Sequence, residues 1–206
     1  MIHIIQNRPL CLASSSPRRQ MFLEKFGLKF DSYSPNINET PKSNELAKNF
    51  VKRMANEKAW HVKQKFYKLS KNIVILAGDT IVSFDGQILG KPETIEHARR
   101  MLRQLSGQIH TVYSAFTILD CRSGHEITKV ICTEVRFLKL HKKQLEWYVN
   151  SGEPFGKAGS YSIQGLGSIL IKSISGSYNN VVGFPFENII PFLASNGCIS
   201  YELKVG

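Results

Sequence analysis

The most restrictive feature of this chain is a carboxylate set in the middle of strand-like apolar material. Ile73 to Ala77 has the look of a buried strand, Gly78-Asp79-Thr80 breaks it, and Ile81 to Phe84 resumes it before Asp85-Gly86, a dipeptide suited to a two-residue hairpin turn. An isolated ionised carboxylate among such neighbours costs several kcal/mol unless it pairs with a cation, binds a metal or takes up a proton. Asp79 is therefore either a turn aspartate satisfied by local backbone N–H groups or a functional group with a partner elsewhere. The apolar residues on both sides favour the partner.

Cations that can meet it are present. From 44 to 67 the apolar residues recur at helical spacing, and the row Leu46, Phe50, Met54, Lys58, Val62, Phe66 steps by four with Lys58 as its one charged member. Lys91, in Gly90-Lys91-Pro92, is a second candidate. A lysine at the edge of an apolar stripe commonly snorkels to water, so neither is decisive alone.

Near the start, Leu10 to Ser14 reads as a strand delivering the chain to Ser16-Pro17, an N-cap followed by proline at the first helical position; Gly27 closes that helix. Ser14, Ser15, Ser16, Arg18 and Arg19 thus gather where backbone N–H groups point outward. A cation at a helix N-terminus is opposed by the macrodipole, and an oxyanion bound there offsets the repulsion. Phosphate fits, although a plainly capped helix with two solvated arginines fits as well.

The remaining elements follow from the same signals. A second strand covers 28–33 and a Pro- and Asn-rich loop covers 34–43. A helix capped by Thr94 ends at Gly107; two long strands, 112–119 and 127–137, join through Ser123-Gly124; a helix covers 142–149. Seven of the 15 glycines crowd into 152–183, and Pro185 opens a last helix interrupted at Pro191. Within that segment, Gly165 and Gly167 would let backbone approach a ligand, and Gln164 offers both a donor and an acceptor suited to a base edge.

Composition excludes several classes. At 206 residues with 42% hydrophobic and 21% charged residues, the chain can bury a core of its own and needs no disulfide or metal staple. Its apolar runs are far shorter than a membrane span, the N-terminus carries no export signal, and a cytoplasmic location is expected. Cys11, Cys121, Cys132 and Cys198 lie at unrelated spacings, which reads as four reduced thiols. With 27 Lys plus Arg against 16 Asp plus Glu, the net charge of +11 points to an anionic ligand or partner. A Walker loop is excluded because Pro92 follows Lys91. A zincin helix, a Gly-x-Ser-x-Gly elbow and a complete dinucleotide-binding glycine pattern are also absent.

Taken in order, these pieces resemble the Maf family of nucleoside triphosphate pyrophosphatases. The likeness runs nearly end to end through Leu12-Ala13-Ser14 to Arg19, Asn38-Glu39-Thr40-Pro41, Asn56-Glu57-Lys58-Ala59, Gly78-Asp79-Thr80, Gly90-Lys91-Pro92, Lys157-Ala158-Gly159, Ile163 to Gly167, and Val181 to Pro185. It implies one α/β domain over 1–206, an elongated mixed β-sheet flanked by helices, with two lobes and a cleft between them. It further implies metal-dependent cleavage between the α and β phosphates, giving a nucleoside monophosphate and pyrophosphate. By motif, Ser14, Arg19 and Lys91 would hold phosphates, Glu39 and Asp79 would sit at a divalent cation (Mg²⁺, Mn²⁺ or Co²⁺) and the attacking water, and Lys58 would complete the charged cluster. Arg18, Thr80 and Gln164 resemble the branch that hydrolyses dTTP and UTP; the branch acting on 7-methyl-GTP carries Trp, Gln and Glu there. The resemblance also implies a homodimer, and the family is associated with inhibition of cell division.

Two other readings compete. A nucleic-acid or regulatory binding protein on the same scaffold would use Lys63, Lys65, Lys68, Lys71, Arg99, Arg100, Arg103, Lys139, Lys142 and Lys143, although these lack interleaved aromatics and read as solvated surface. An enzyme removing damaged nucleotides such as inosine triphosphate is the other; Thr80 and Gln164 argue against it.

Overall fold

The computed structural model of the chain describes residues 2–66 and 72–203, so Tyr67, Lys68 and Lys71 lie outside the described residues. The strands are β1 (Ile2–Gln6), β2 (Leu10–Ala13), β3 (Phe30–Ser32), β4 (Val74–Phe84), β5 (Gln87–Leu89), β6 (Ile109–Asp120), β7 (Glu126–Phe137), β8 (Ile171–Ser175) and β9 (Ile199–Leu203). The α-helices are α1 (Pro17–Lys25), α2 (Ala47–Phe66), α3 (Ile95–Leu105), α4 (Lys142–Asn150), α5 (Tyr178–Val182) and α6 (Phe186–Ser195). One mixed sheet runs in the order β3-β2-β4-β6-β7-β8, with β5 also on β4; β1 and β9 pair separately.

Gly78-Asp79-Thr80 does not break the central strand, contrary to expectation. β4 is continuous because each of the three keeps an antiparallel partner on β6: Gly78 opposite Phe116, Asp79 opposite Ala115 and Thr80 opposite Ser114. The interruption is felt on the other edge. Parallel β2 reaches only to Ala13, opposite Ala77, and antiparallel β5 reaches only to Leu89, opposite Val82. Gly78 to Ile81 are left without a strand partner on that side. The carboxyl ends of β2 and β5 thus face each other across a notch in the sheet, the kind of place where open α/β sheets bind ligands.

Period-2 alternation assigns the faces. Leu10, Leu12, Val74 and Leu76 pack with Leu23 of α1 and with Ile189 and Leu193 of α6, together with Phe184. Cys11, Ala13, Ile75 and Ala77 face α2 through Ala59 and Val62. Continued into the notch, the alternation turns Gly78 and Thr80 toward the α1 side and Asp79 and Ile81 toward α2. A second core forms beyond the notch, where Leu102 and Leu105 of α3 and Leu145 and Tyr148 of α4 pack on Val112, Val135 and Phe137. These two packed bodies are the expected lobes, with β4 and β6 contributing to both.

Local signals hold closely. Thr94 Oγ1 accepts from the His97 N–H at 3.1 Å, Asp85 and Gly86 both take positive φ in the β4–β5 turn, and Gly27 (φ 69°) follows α1 with the Leu28 N–H donating to the Leu23 carbonyl. Other expectations shift. α2 starts at Ala47, after an exposed Leu46, and β3 is shorter than 28–33. α6 passes through Pro191 without interruption: the exposed proline removes one bond near the helix start, while Ile189 and Leu193 anchor the opposite face in the core. Among the described residues no helix is long and apolar enough to cross a membrane.

Candidate active site

Asp79 finds its partner in Lys58. The helical row places Lys58 one turn after Met54, directly over β4, and its Nζ donates to Asp79 Oδ1 at 2.8 Å and to Glu39 Oε1 at 2.9 Å. Lys58 and Asp79 are both buried, while Glu39, from the loop before α2, keeps about half its side chain in solvent. The ammonium is thus clamped between two carboxylates. Removing either member of the buried Lys58–Asp79 pair leaves a charge uncompensated, at a cost on the order of 3–5 kcal/mol, whereas the half-exposed Glu39 contributes less.

Arg19 serves the wall of the notch more than its contents. Its Nη1 donates to the Gly78 carbonyl at 2.7 Å and to Ser14 Oγ at 3.0 Å, Nε to the Gly183 carbonyl at 3.2 Å, and Nη2 to Thr80 Oγ1 at 3.1 Å. Four of its five donors are therefore committed, which leaves one for a phosphate. The Gly78 carbonyl is free to accept because the notch leaves it no strand partner. Burial lowers the guanidinium pKa, opposed by Asp79 and Glu39; an arginine stays protonated regardless. Thr80 Oγ1 also lies 2.9 Å from Ser114 Oγ and donates to the Gly183 carbonyl at 3.1 Å, so this hydroxyl too is engaged in the wall.

The notch opens into a cavity of about 690 Å³ lined by Ser14, Arg18, Arg19, Glu39, Lys58, Asp79, Thr80 and Lys91. Eight residues singled out in the sequence therefore share one chamber. One bank carries Ser14 to Arg19 at the N-terminus of α1; the other carries Gly90-Lys91, joined to the 156–159 loop by the Gly159 N–H donating to the Gly90 carbonyl at 3.1 Å. Arg18 is half-buried, and burial pulls its pKa down.

Gln164 does not reach this chamber. Its side chain is exposed and outside the lining, although Ser162 and Ile163 belong to it. The cause lies in Glu153, whose carboxylate accepts from the Leu166 and Gly167 N–H groups, each at 2.8 Å, and from the Tyr148 hydroxyl at 3.0 Å. A Cβ on Gly165 would fall 2.1 Å from Glu153 Oε2, and one on Gly167 would fall 2.7 Å from the Tyr148 hydroxyl. These glycines make room for the protein's own groups, not for a ligand, and the base-edge role expected of Gln164 finds no geometric support.

Two cavity residues lie in the glycine-rich stretch the sequence singles out but receive no role from it. Lys157 lines the same cavity as Lys91; its place in Lys157-Ala158-Gly159 is the available signal. Tyr161 lines the chamber and its hydroxyl lies 2.8 Å from His110 Nε2. His110 is buried, its Nδ1 has no partner, and burial pushes its pKa down to about 4. Nothing in the spacing of His110 and Tyr161 announces that pair.

Among the described residues no group of three or more His, Cys, Asp or Glu is placed to hold a metal. Glu39 and Asp79 both accept from the Lys58 ammonium, and two carboxylates gathered in this way suit a hard divalent ion that takes its other ligands from water and substrate phosphates. Of the basic surface, Arg99 pairs with Glu146 and Glu96, Lys63 lies over the Trp60 ring and Lys65 contacts Tyr33, whereas Lys68 and Lys71 are outside the described residues.

The fold and chamber define a mixed α/β protein with a cleft lined by cationic side chains where strand carboxyl ends converge. Residues 9–196 match the family model described as Maf-like protein. The chain belongs to the Maf family. A dTTP/UTP pyrophosphatase of Acinetobacter baylyi is 44% identical over 179 residues, covering 86% of this chain and 94% of the relative. One of Halalkalibacterium halodurans is 43% identical over 190 residues, covering 92% and 97%. The crystal structure of a nucleoside-triphosphatase / dITP/XTP pyrophosphatase from Mycobacterium abscessus shares the fold at a TM-score of 0.51 and 13% identity, covering 96% of this chain and 100% of that one.

Proposed function

We propose that this protein hydrolyses pyrimidine nucleoside triphosphates, dTTP and UTP, to the monophosphate and pyrophosphate. The observation that carries this reading is the single chamber in which Lys58 bridges Glu39 and Asp79 while Arg18 and Lys91 face inward without an ion-pair partner among the described residues. Its family membership and its likeness to dTTP/UTP pyrophosphatases support the same reading.

In this mechanism Lys58 fixes Asp79 through Oδ1, leaving Oδ2 to take a proton from water. The water oxygen bonds to the α-phosphorus, the bond from that phosphorus to the α–β bridging oxygen breaks, and pyrophosphate departs with the bond's electron pair. Ser14, Arg18 and Lys91 bind and orient phosphate oxygens, with the remaining Arg19 donor beside them. Glu39 and Asp79 would hold a divalent cation, Mg²⁺, Mn²⁺ or Co²⁺, which when bound supplies charge neutralisation and polarises the phosphoryl group. Four free cysteines and a nucleotide substrate support a cytoplasmic location, and the family resemblance supports a homodimer as the working form.

The test is pyrophosphate release from a nucleotide panel that includes inosine triphosphate, with each metal and after EDTA. Turnover of dTTP and UTP above the others, abolished by the chelator and restored by the metal, is expected. Orthophosphate release, or preference for a purine, overturns the proposal.

A further inference from the structure

The bank of the chamber opposite α1 carries two lysines on loops bonded to each other. Lys91 follows Gly90, whose carbonyl accepts the Gly159 N–H at 3.1 Å; Gly159, packed on Val82, lies two residues after Lys157. Both side chains line the cavity. Among the described residues neither forms an ion pair, and Lys157 has only a long 3.5 Å bond to the Phe155 carbonyl. Lys58, the third lysine of the chamber, is by contrast compensated by Glu39 and Asp79.

Two uncompensated ammonium groups on bonded loops of one cavity raise its positive potential, and an anion bound there offsets it. The part of a triphosphate that best suits this bank is the part with the most negative charge. We infer that Lys157 together with Lys91 forms a subsite for the β- and γ-phosphates, the moiety that leaves as pyrophosphate. This rests on the hydrolytic reading above and adds to it a residue, Lys157, and the end of the substrate that it holds. Gly159 has a structural part in this: its positive φ of 66° and its contact with Val82, where a Cβ would come within 3.0 Å, keep the lysine loop pressed on the strand.

The experiment compares wild type with Lys157→Gln and Lys157→Arg. It measures kcat/KM for UTP, inhibition by added inorganic pyrophosphate, direct calorimetric binding of pyrophosphate, and competition by UMP. Losing one charge-assisted contact should weaken pyrophosphate binding about tenfold or more in Lys157→Gln and lower kcat/KM accordingly, with UMP affinity retained and Lys157→Arg largely restoring both. Pyrophosphate affinity unchanged in Lys157→Gln overturns the inference, as does an equal loss of UMP affinity, which would mean a displaced loop. If wild type binds pyrophosphate through Lys157 but cleaves no nucleotide, the hydrolytic reading falls and the subsite stands. If it cleaves UTP but Lys157→Gln leaves pyrophosphate inhibition intact, the subsite alone falls.

Discussion

Single side chains in this protein divide between those that hold the chamber together and those left free to act. Asp79 belongs to both groups, one oxygen on Lys58 and the other available to water. Asp79→Asn should lower turnover of UTP by roughly 10² to 10⁴ if the carboxylate takes the proton, while the amide retains the strand position; steady-state kinetics will show it. Arg19→Lys should act differently, because an ammonium cannot span Gly78, Ser14, Gly183 and Thr80 at once. A loss of about 2–4 kcal/mol in urea unfolding is expected, from buried acceptors left unpaired. His110 makes the fold sensitive to acid. Buried, with its pKa near 4, it stays neutral in the native state, whereas in the unfolded chain it takes a proton near 6.5. Between those values the unfolded state binds more protons, so stability is full above about pH 6.5, declines as pH falls toward 4, and is level below. His110→Gln should flatten that slope, worth on the order of 3 kcal/mol, in unfolding curves taken across the range.

At the level of elements, the notch is the device that makes a central strand reactive. β4 pairs along β6 through Ser83, which keeps it rigid, while β2 and β5 stop short on the other edge and leave Gly78 to Ile81 open. The 152–183 segment then closes the far bank with glycines fitted against the protein itself. Gly159→Ala would force a Cβ within 3.0 Å of Val82 at a φ that alanine disfavours. We expect a loss of about 1–3 kcal/mol in stability and a fall in kcat/KM larger than in kcat, since the loop bearing Lys157 moves off the strand. Thermal melts and steady-state kinetics on the same preparation separate the two effects.

For the whole molecule, the chain ends are clasped away from the chemistry. β1 and β9 pair antiparallel from Ile2 opposite Leu203 to Gln6 opposite Ile199, yet every cavity-lining residue falls between Ser14 and Gly183. Deleting residues 1–6 should therefore lower Tm by roughly 5–10 °C while leaving kcat for UTP within a few-fold at 25 °C. This clasp was not legible in the sequence: two short strands nearly two hundred residues apart carry no local sign of being neighbours. The same limit hid the Tyr161–His110 contact and the inward placement of Lys157, each of which depends on long-range packing. It also explains Gln164, where the chemistry of the residue suited a base edge but the Glu153 carboxylate directs the loop elsewhere.

The order of elements, their caps and turns, the charge trapped at Asp79 and the cation on the α2 ridge were all set by local chemistry, because strand alternation, helical spacing, Pro17, Thr94 and Asp85-Gly86 act within a few residues of themselves. Which carboxylate meets which ammonium, where β2 and β5 stop along β4, and which of the wall's donors remain free were decided only by tertiary packing. Those outcomes turn on distances between segments remote in the chain, and no residue type or local spacing encodes them.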